Sequence, residues 1–189
     1  MREQVHKAGI DHPRPGGGDL LAEPVLVTRR SLIAHEVFDQ GGRLIATDRS
    51  PSGSKVGRLF GSTAVYRTPD GRPVLTVLVD RRTYVAVDQN KIDVGTVTVR
   101  GKDKGVIHVD RSEIGRLARS SEHLAAAGRT AFSLYDLNSV EVARITTTWW
   151  ALVRWSVIES RPGLGDDLRR LLLAADAAVA DWTTPKGGG

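Results

Sequence analysis

The chain has 189 residues, 27 Lys and Arg against 22 Asp and Glu, a formal net charge of +5 and no cysteine. Its length suits one domain with a sizeable core. The missing cysteines exclude disulfides, thiolate metal sites, thiol catalysis and palmitoyl or prenyl anchors.

Residues 1–24 read as a flexible leader. They lack the apolar core of a signal peptide, so export by that route is not expected and a cytoplasmic location follows by default. Within the leader, Asp11-His12-Pro13-Arg14-Pro15-Gly16-Gly17-Gly18 is too rich in Pro and Gly to hold a helix or a ladder. From residue 25 the chain repeats one local phrase, in which an apolar stretch runs into Asp, then turn residues, then a second apolar stretch. Val37-Phe38-Asp39-Gln40-Gly41-Gly42-Arg43-Leu44-Ile45 and Val65-Tyr66-Arg67-Thr68-Pro69-Asp70-Gly71-Arg72-Pro73-Val74-Leu75 are the clearest copies. Asp-Gly and Gly-Gly between β-formers signal hairpins, because such residues accept the positive φ of tight turns. Asp also bonds its own turn backbone, so these carboxylates are turn-makers first and metal ligands only as an alternative.

The phrase yields strands near 25–30, 32–38, 43–48, 56–60, 63–67, 73–79, 83–88, 94–100, 105–110, 114–119, 131–136 and 141–158, the last bent into two. Val97 and Val99 alternate with Thr96, Thr98 and Arg100, which predicts one dry face and one wet face. Val74 to Val79 is apolar on both faces and predicts a strand covered outside as well as inside. Residues 120–128 suit one short helix with a Ser cap and a Gly stop.

The last element, residues 166–182, is a helix apolar on nearly every side from Leu171 to Ala180, with Asp176 its only charge there. Such a helix is buried in protein or in lipid, and this one is too short and too interrupted to span a bilayer. Many short strands would leave adhesive edges unless they close into a barrel. A barrel of about twelve strands is too wide for its own side chains to fill. The fold class expected is therefore mainly β, a closed antiparallel barrel of about twelve strands over residues 25–182 around this helix. Leu168, Leu171, Leu172, Leu173, Asp176, Val179 and Trp182 form the plug, and residues 183–189 form a flexible tail. Asp166 and Asp167 sit where a helix start favours negative charge. Asp176 needs a partner, because an unpaired buried carboxylate is costly. Arg144 or Arg154 could supply it, and a polar ligand cavity is the alternative.

The Asp-x-x-Gly turns, the Trp149, Trp150 and Trp155 region and the final Leu/Ala helix ending in Asp181-Trp182 resemble the tubby C-terminal-like superfamily. Within it the chain looks most like bacterial relatives of phospholipid scramblases and LURP-one-related proteins. The resemblance implies the same barrel around a C-terminal helix, and association with phospholipid or phosphoinositide headgroups. Two departures matter. Scramblases carry a cysteine-rich palmitoylation segment, which is missing here, and an acidic calcium stretch, of which Glu159 to Asp167 keeps few carboxylates. Calcium-driven scrambling is therefore not expected.

Charge placement agrees with an anionic partner. Residues 40–119 hold 15 basic against 8 acidic side chains, an excess of +7, while the remainder comes to −2. Arg100, Lys102 and Lys104, with Arg81, Arg82 and Lys91 on neighbouring turns, are the candidate headgroup-binding set. The bland reading is a charged set of hairpin tips. Arg29-Arg30 carries the same two readings. The tryptophans suit a membrane-interface belt or, more simply, barrel filling, and Tyr66, Tyr84 and Tyr135 read as ordinary strand residues.

Enzyme motifs are missing. Ser52-Gly53-Ser54-Lys55 lacks phosphate-loop spacing, no G-x-S-x-G elbow occurs, and the five histidines have no metal-binding spacing. Asp88 with Asn90 and Asp136 with Asn138 begin like calcium loops without completing them. The expectation is a protein that is not an enzyme, with no cofactor and no metal. It would be cytoplasmic or peripheral at the inner membrane face, and would bind an anionic phospholipid surface or a lipid-like ligand. An intracellular protein-interaction scaffold, whose leader carries a partner, is the alternative. Nucleic-acid binding ranks third and is unlikely, because acidic residues are mixed through the basic region.

Overall fold

The computed structural model describes residues 14–15, 20, 22–31, 34–48, 62–101, 103–120, 129–150 and 153–183. Among these the strands are β1 (Arg14–Pro15), β2 (Val25–Arg30), β3 (His35–Phe38), β4 (Arg43–Asp48), β5 (Ser62–Arg67), β6 (Pro73–Asp80) and β7 (Thr83–Asp88). They continue with β8 (Asp93–Val99), β9 (Lys104–Val109), β10 (Ser112–Arg119), β11 (Arg129–Asp136), β12 (Glu141–Trp150) and β13 (Val153–Ser160). One helix, α1 (Asp166–Thr183), follows. The expected strand at 56–60, and all but the first residue of the expected short helix at 120–128, lie outside the described residues.

Strands β2 to β13 form a closed antiparallel barrel in the order β4-β3-β2-β13-β12-β11-β10-β9-β8-β7-β6-β5, and β4 pairs with β5 to complete the circle. That closing seam is thin, with Thr47 opposite Arg67 as its registered pair. Closure removes the sheet edges that so many short strands would otherwise expose. The hairpins close as their Asp residues dictate. Asp39 Oδ1 accepts from the Arg43 N–H at 2.8 Å, Asp88 Oδ1 from Asn90 and Ile92 N–H at 2.8 Å each, and Asp136 Oδ1 from Val140 N–H at 2.8 Å. Among the described residues no group of acidic and histidine side chains gathers as a metal site.

Two expectations about strands need correction. Arg14 and Pro15 form a short parallel pairing with Arg43 and Leu44, although the leader was expected to take part in no ladder. Pro is tolerated there because it lacks only a donor, and a short edge pairing does not require one from every residue. The outer face of β6 is also not covered. Leu75 and Val77 are buried inward, while Leu78 is exposed outward.

Helix α1 fills the bore. Leu171, Leu172, Leu173, Ala174, Ala175, Ala177, Ala178 and Val179 belong to the central core with Leu75, Val97, Ile107, Leu134 and Ile145 of the wall. Leu168 and Trp182, at the two ends of the plug, are half-buried, and Trp182 stacks on Phe132 with ring centroids 5.2 Å apart. The helix packs mainly against β7 and β8. Gly95 of β8 permits this approach. Its φ is +149°, and a Cβ there would collide with the His108 carbonyl and meet Leu171 Cδ1 at 3.2 Å. Because a helix turns once per 3.6 residues, Leu171, Ala174 and Ala178 lie opposite Asp176. The small alanines bring the helix to one wall, so the other side of the bore must be spanned by longer side chains.

Candidate functional site

The wider side of the bore holds a buried polar cluster. Arg154 points inward from β13 and is 1% exposed. Its Nη2 donates to Asp176 Oδ1 at 2.6 Å and to the Asp176 carbonyl at 3.2 Å, and its Nε donates to Thr147 Oγ1 of β12 at 2.8 Å. Thr28 of β2 donates its hydroxyl to Asp176 Oδ2 at 3.1 Å. His35 Nε2 of β3 faces the same oxygen at 3.5 Å, an electrostatic contact too long for a good hydrogen bond. His35 Nδ1 lies 2.7 Å from the Tyr66 hydroxyl of β5. Five strands thus converge on one helical carboxylate. Arg154 is the partner that Asp176 requires, whereas Arg144 faces outward and pairs with Glu141 at 2.9 Å. Tyr66 is not an ordinary strand residue but a member of this cluster.

The protonation states follow from the contacts. Burial opposes ionisation of Asp176, but the Arg154 guanidinium and His35 outweigh it and hold the carboxyl below its ordinary range. Burial, and then the Asp176 charge, raise Tyr66 far above its usual value, so its O–H stays protonated. We therefore assign the Tyr66 proton to the bond with Nδ1, which leaves the neutral His35 ring with its proton on Nε2, toward Asp176. Burial lowers His35, with Asp176 opposing, and lowers Arg154, with Asp176 again opposing. Arg154 Nη1 and Ser156 Oγ keep no hydrogen-bond partner. Asp176, His35 and Tyr66 are linked in the manner of a proton relay, but all three are buried. Their chemistry is to hold the helix to the far wall.

The surface candidates separate by barrel end. Antiparallel strands alternate direction, so the turns joining β6 to β7 and β8 to β9 share one end with the last residues of β12, the first of β13 and the carboxyl end of α1. The turns at 39–42, 68–72, 89–92, 110–111 and 137–140 share the other. Arg81, Arg82, Arg100 and Lys104 stand together at the first end, where the Val99 N–H donates to the Arg82 carbonyl at 2.8 Å and joins the two turns. All four are exposed and make no ion pair with a described residue. Lys102 lies outside the described residues. Lys91 belongs to the opposite end and not to this set, a correction to the neighbouring-turn grouping. There it stands among exposed Asp93, Asp70 and Asp110.

The tryptophans also divide. Trp149 continues the inward row of β12 and buries an Nε1 with no partner, Trp150 is 63% exposed at the basic end, and Trp155 lies on the outer wall. A cleft of about 410 Å³ opens at the β4–β5 seam beside Thr47, Asp48 and Arg67. The Arg67 guanidinium is already committed there to the Gly71 carbonyl at 3.1 Å.

No family model matches the chain, and no curated protein matches it. Among solved structures, the chain is similar to an X-ray structure of a protein from Arabidopsis thaliana, AT5G01750. The TM-score is 0.51 at 15% identity, over 88% of this chain and 98% of that one. At that identity the likeness concerns the fold alone, and it extends over nearly the whole of the plant protein.

Proposed function

We propose that this is a tubby-like barrel of the scramblase-related and LURP-one-related kind, a non-enzymatic domain that associates with anionic phospholipid surfaces through its basic end. The observation that carries the reading is the convergence of Arg81, Arg82, Arg100 and Lys104 on two adjoining turns, free of ion pairs among the described residues, at the end that also exposes Trp150. Basic side chains close to an anionic leaflet contribute about 1 kcal/mol each. Trp suits the boundary between water and acyl chain. The barrel shape shared with the Arabidopsis structure supports the same grouping. Among the described residues no helix is long and apolar enough to cross a membrane.

Sedimentation with vesicles of mixed neutral and anionic phospholipid tests this. The protein should pellet with anionic vesicles at low salt and release as salt screens the attraction. Arg81→Glu, Arg82→Glu, Arg100→Glu and Lys104→Glu together should abolish pelleting, while Lys91→Glu, at the other end, should leave it unchanged. Pelleting that ignores the fourfold reversal, or that is lost equally with Lys91→Glu, would refute the proposal.

A further inference from the structure

One row of side chains crosses the wide side of the bore near the end that carries the basic turns. The register sets Trp149 opposite Arg154, Arg154 opposite Arg30, Arg30 opposite His35 and His35 opposite Asp48, across β12, β13, β2, β3 and β4. Alternation turns the row inward. Thr28, two residues before Arg30, reaches Asp176, and Thr147, two residues before Trp149, accepts from Arg154 Nε. Arg30 is half-buried, and its charge is felt by His35, Tyr66 and Arg154, which places it among the groups of the bore.

Two arginines thus stand side by side. Directly opposed residues have Cβ atoms about 5 Å apart, and like charges so placed repel. Their counter-charge is short. Asp176 engages Arg154 through Nη2, while the Arg30 guanidinium makes no hydrogen bond or ion pair with a described residue. Asp48, two strands along the row from Arg30, is about 10 Å away. Arg154 Nη1, in a side chain with 0% exposure, and the buried Trp149 Nε1 have no acceptor either. Guanidinium and indole nitrogens only donate, so all three residues lack the same thing, an anionic acceptor. On the helix, Ala180 lies one turn beyond Asp176 toward this end, on the same face, and presents only a methyl group.

We propose that Arg30, Arg154 and Trp149 form a site for a small oxyanion of the phosphate class, held between this row and the last turns of α1. The donors come from three strands and so from three directions, which suits a tetrahedral anion better than a planar carboxylate. Arg154 is fixed beforehand by Thr147 and Asp176. The carboxyl end of α1 disfavours an anion by its dipole, so the hold depends on both arginines. Arg81, Arg82, Arg100 and Lys104 stand on the turns joining β6 to β7 and β8 to β9, beside the wall that the helix touches. The oxyanion site is therefore separate from them and does not rest on association with vesicles. Its phosphate has two sources, the free anion or the headgroup of a lipid.

Inorganic phosphate titrated into the full-length protein, with chloride holding the ionic strength constant, tests the site. The indole N–H NMR signal of Trp149 should move saturably, and that of Trp155 on the outer wall should stay in place. By titration calorimetry, Arg30→Gln, which leaves the Arg154–Asp176 pair whole, should weaken binding about tenfold or more. Trp149→Phe, which removes one neutral donor, should weaken it about threefold and serves equally if Arg30→Gln fails to fold. Arg81→Glu with Arg82→Glu should leave it unchanged. A soluble short-chain phosphatidic acid separates the sources: binding tighter than phosphate and equally dependent on Arg30 assigns the headgroup, and weaker binding assigns the free anion. A Trp149 signal indifferent to phosphate, or binding that ignores both Arg30→Gln and Trp149→Phe, would overturn the proposal. So would acetate bound as tightly as phosphate, or binding lost with Arg81→Glu and Arg82→Glu.

Discussion

The two sides of the central helix solve the same packing problem in opposite ways. On the side facing β7 and β8, Leu171, Ala174 and Ala178 approach the wall closely, and Gly95 gives way to them. On the other side Asp176 meets Arg154, His35, Thr28 and, through His35, Tyr66, all of them buried. A helix of one diameter inside a twelve-stranded bore cannot touch every wall. The dry side is held by contact and the far side by long polar side chains. The contrast teaches that a buried ion pair can serve as a spacer: it fixes the helix off-axis, at one rotation and one depth.

The largest effect should come from breaking the far side alone. Arg154→Met leaves Asp176 as an uncompensated buried charge and should cost about 3–5 kcal/mol in denaturant unfolding. Arg154→Met combined with Asp176→Leu removes both charges, and should recover most of that loss. If the double variant is no more stable than the single one, the charge is not the source of the cost. On the near side, Leu171→Ala should cost about 2–5 kcal/mol. Ala178→Leu should cost about 1–3 kcal/mol by forcing the helix off β8. An Ala178→Leu protein as stable as the parent would mean that the alanine face is not tight.

Acid should loosen the polar side before the dry side. His35 is held below its usual 6.5, mainly by burial, so the unfolded chain binds its proton more readily. Stability should therefore be level above about pH 6.5 and fall as pH drops below it. Asp176 is held below 3.8, so its contribution is present above that value and is lost on further acidification. His35→Gln should remove the first stage and keep the second. The smallest effect is expected at the surface, where Arg81→Glu with Arg82→Glu should change unfolding stability by less than about 0.5 kcal/mol.

Much of this architecture was legible in the sequence. Period-two strands, Asp-led turns and a helix apolar on all sides together require a closed wall around a plug. The need of Asp176 for an arginine was also legible, but the choice between two was not. Alternation could have decided it: Ala143, Ile145 and Thr147 line the bore, which turns Arg144 outward. β13 misleads in the opposite sense, because its apolar Trp155 and Val157 face out and its Arg154 and Ser156 face in. Hydropathy reads that strand backwards, since the helix needs a cation inside and the outer wall carries an apolar patch. His35 and Tyr66 left no local signal, because they meet Asp176 only once the barrel has closed. Lys91 was separable in principle: one strand lies between it and Arg82, and one strand carries a chain to the opposite end of a meander.

Native-state amide hydrogen exchange tests the threaded helix most directly. Amides from Leu171 to Ala180 should exchange only through global unfolding, with opening free energies equal to those of the core strands β8 and β12. Exchange of those helix amides at markedly lower free energy than the strands, by an opening that leaves the barrel intact, would contradict a helix enclosed by the wall.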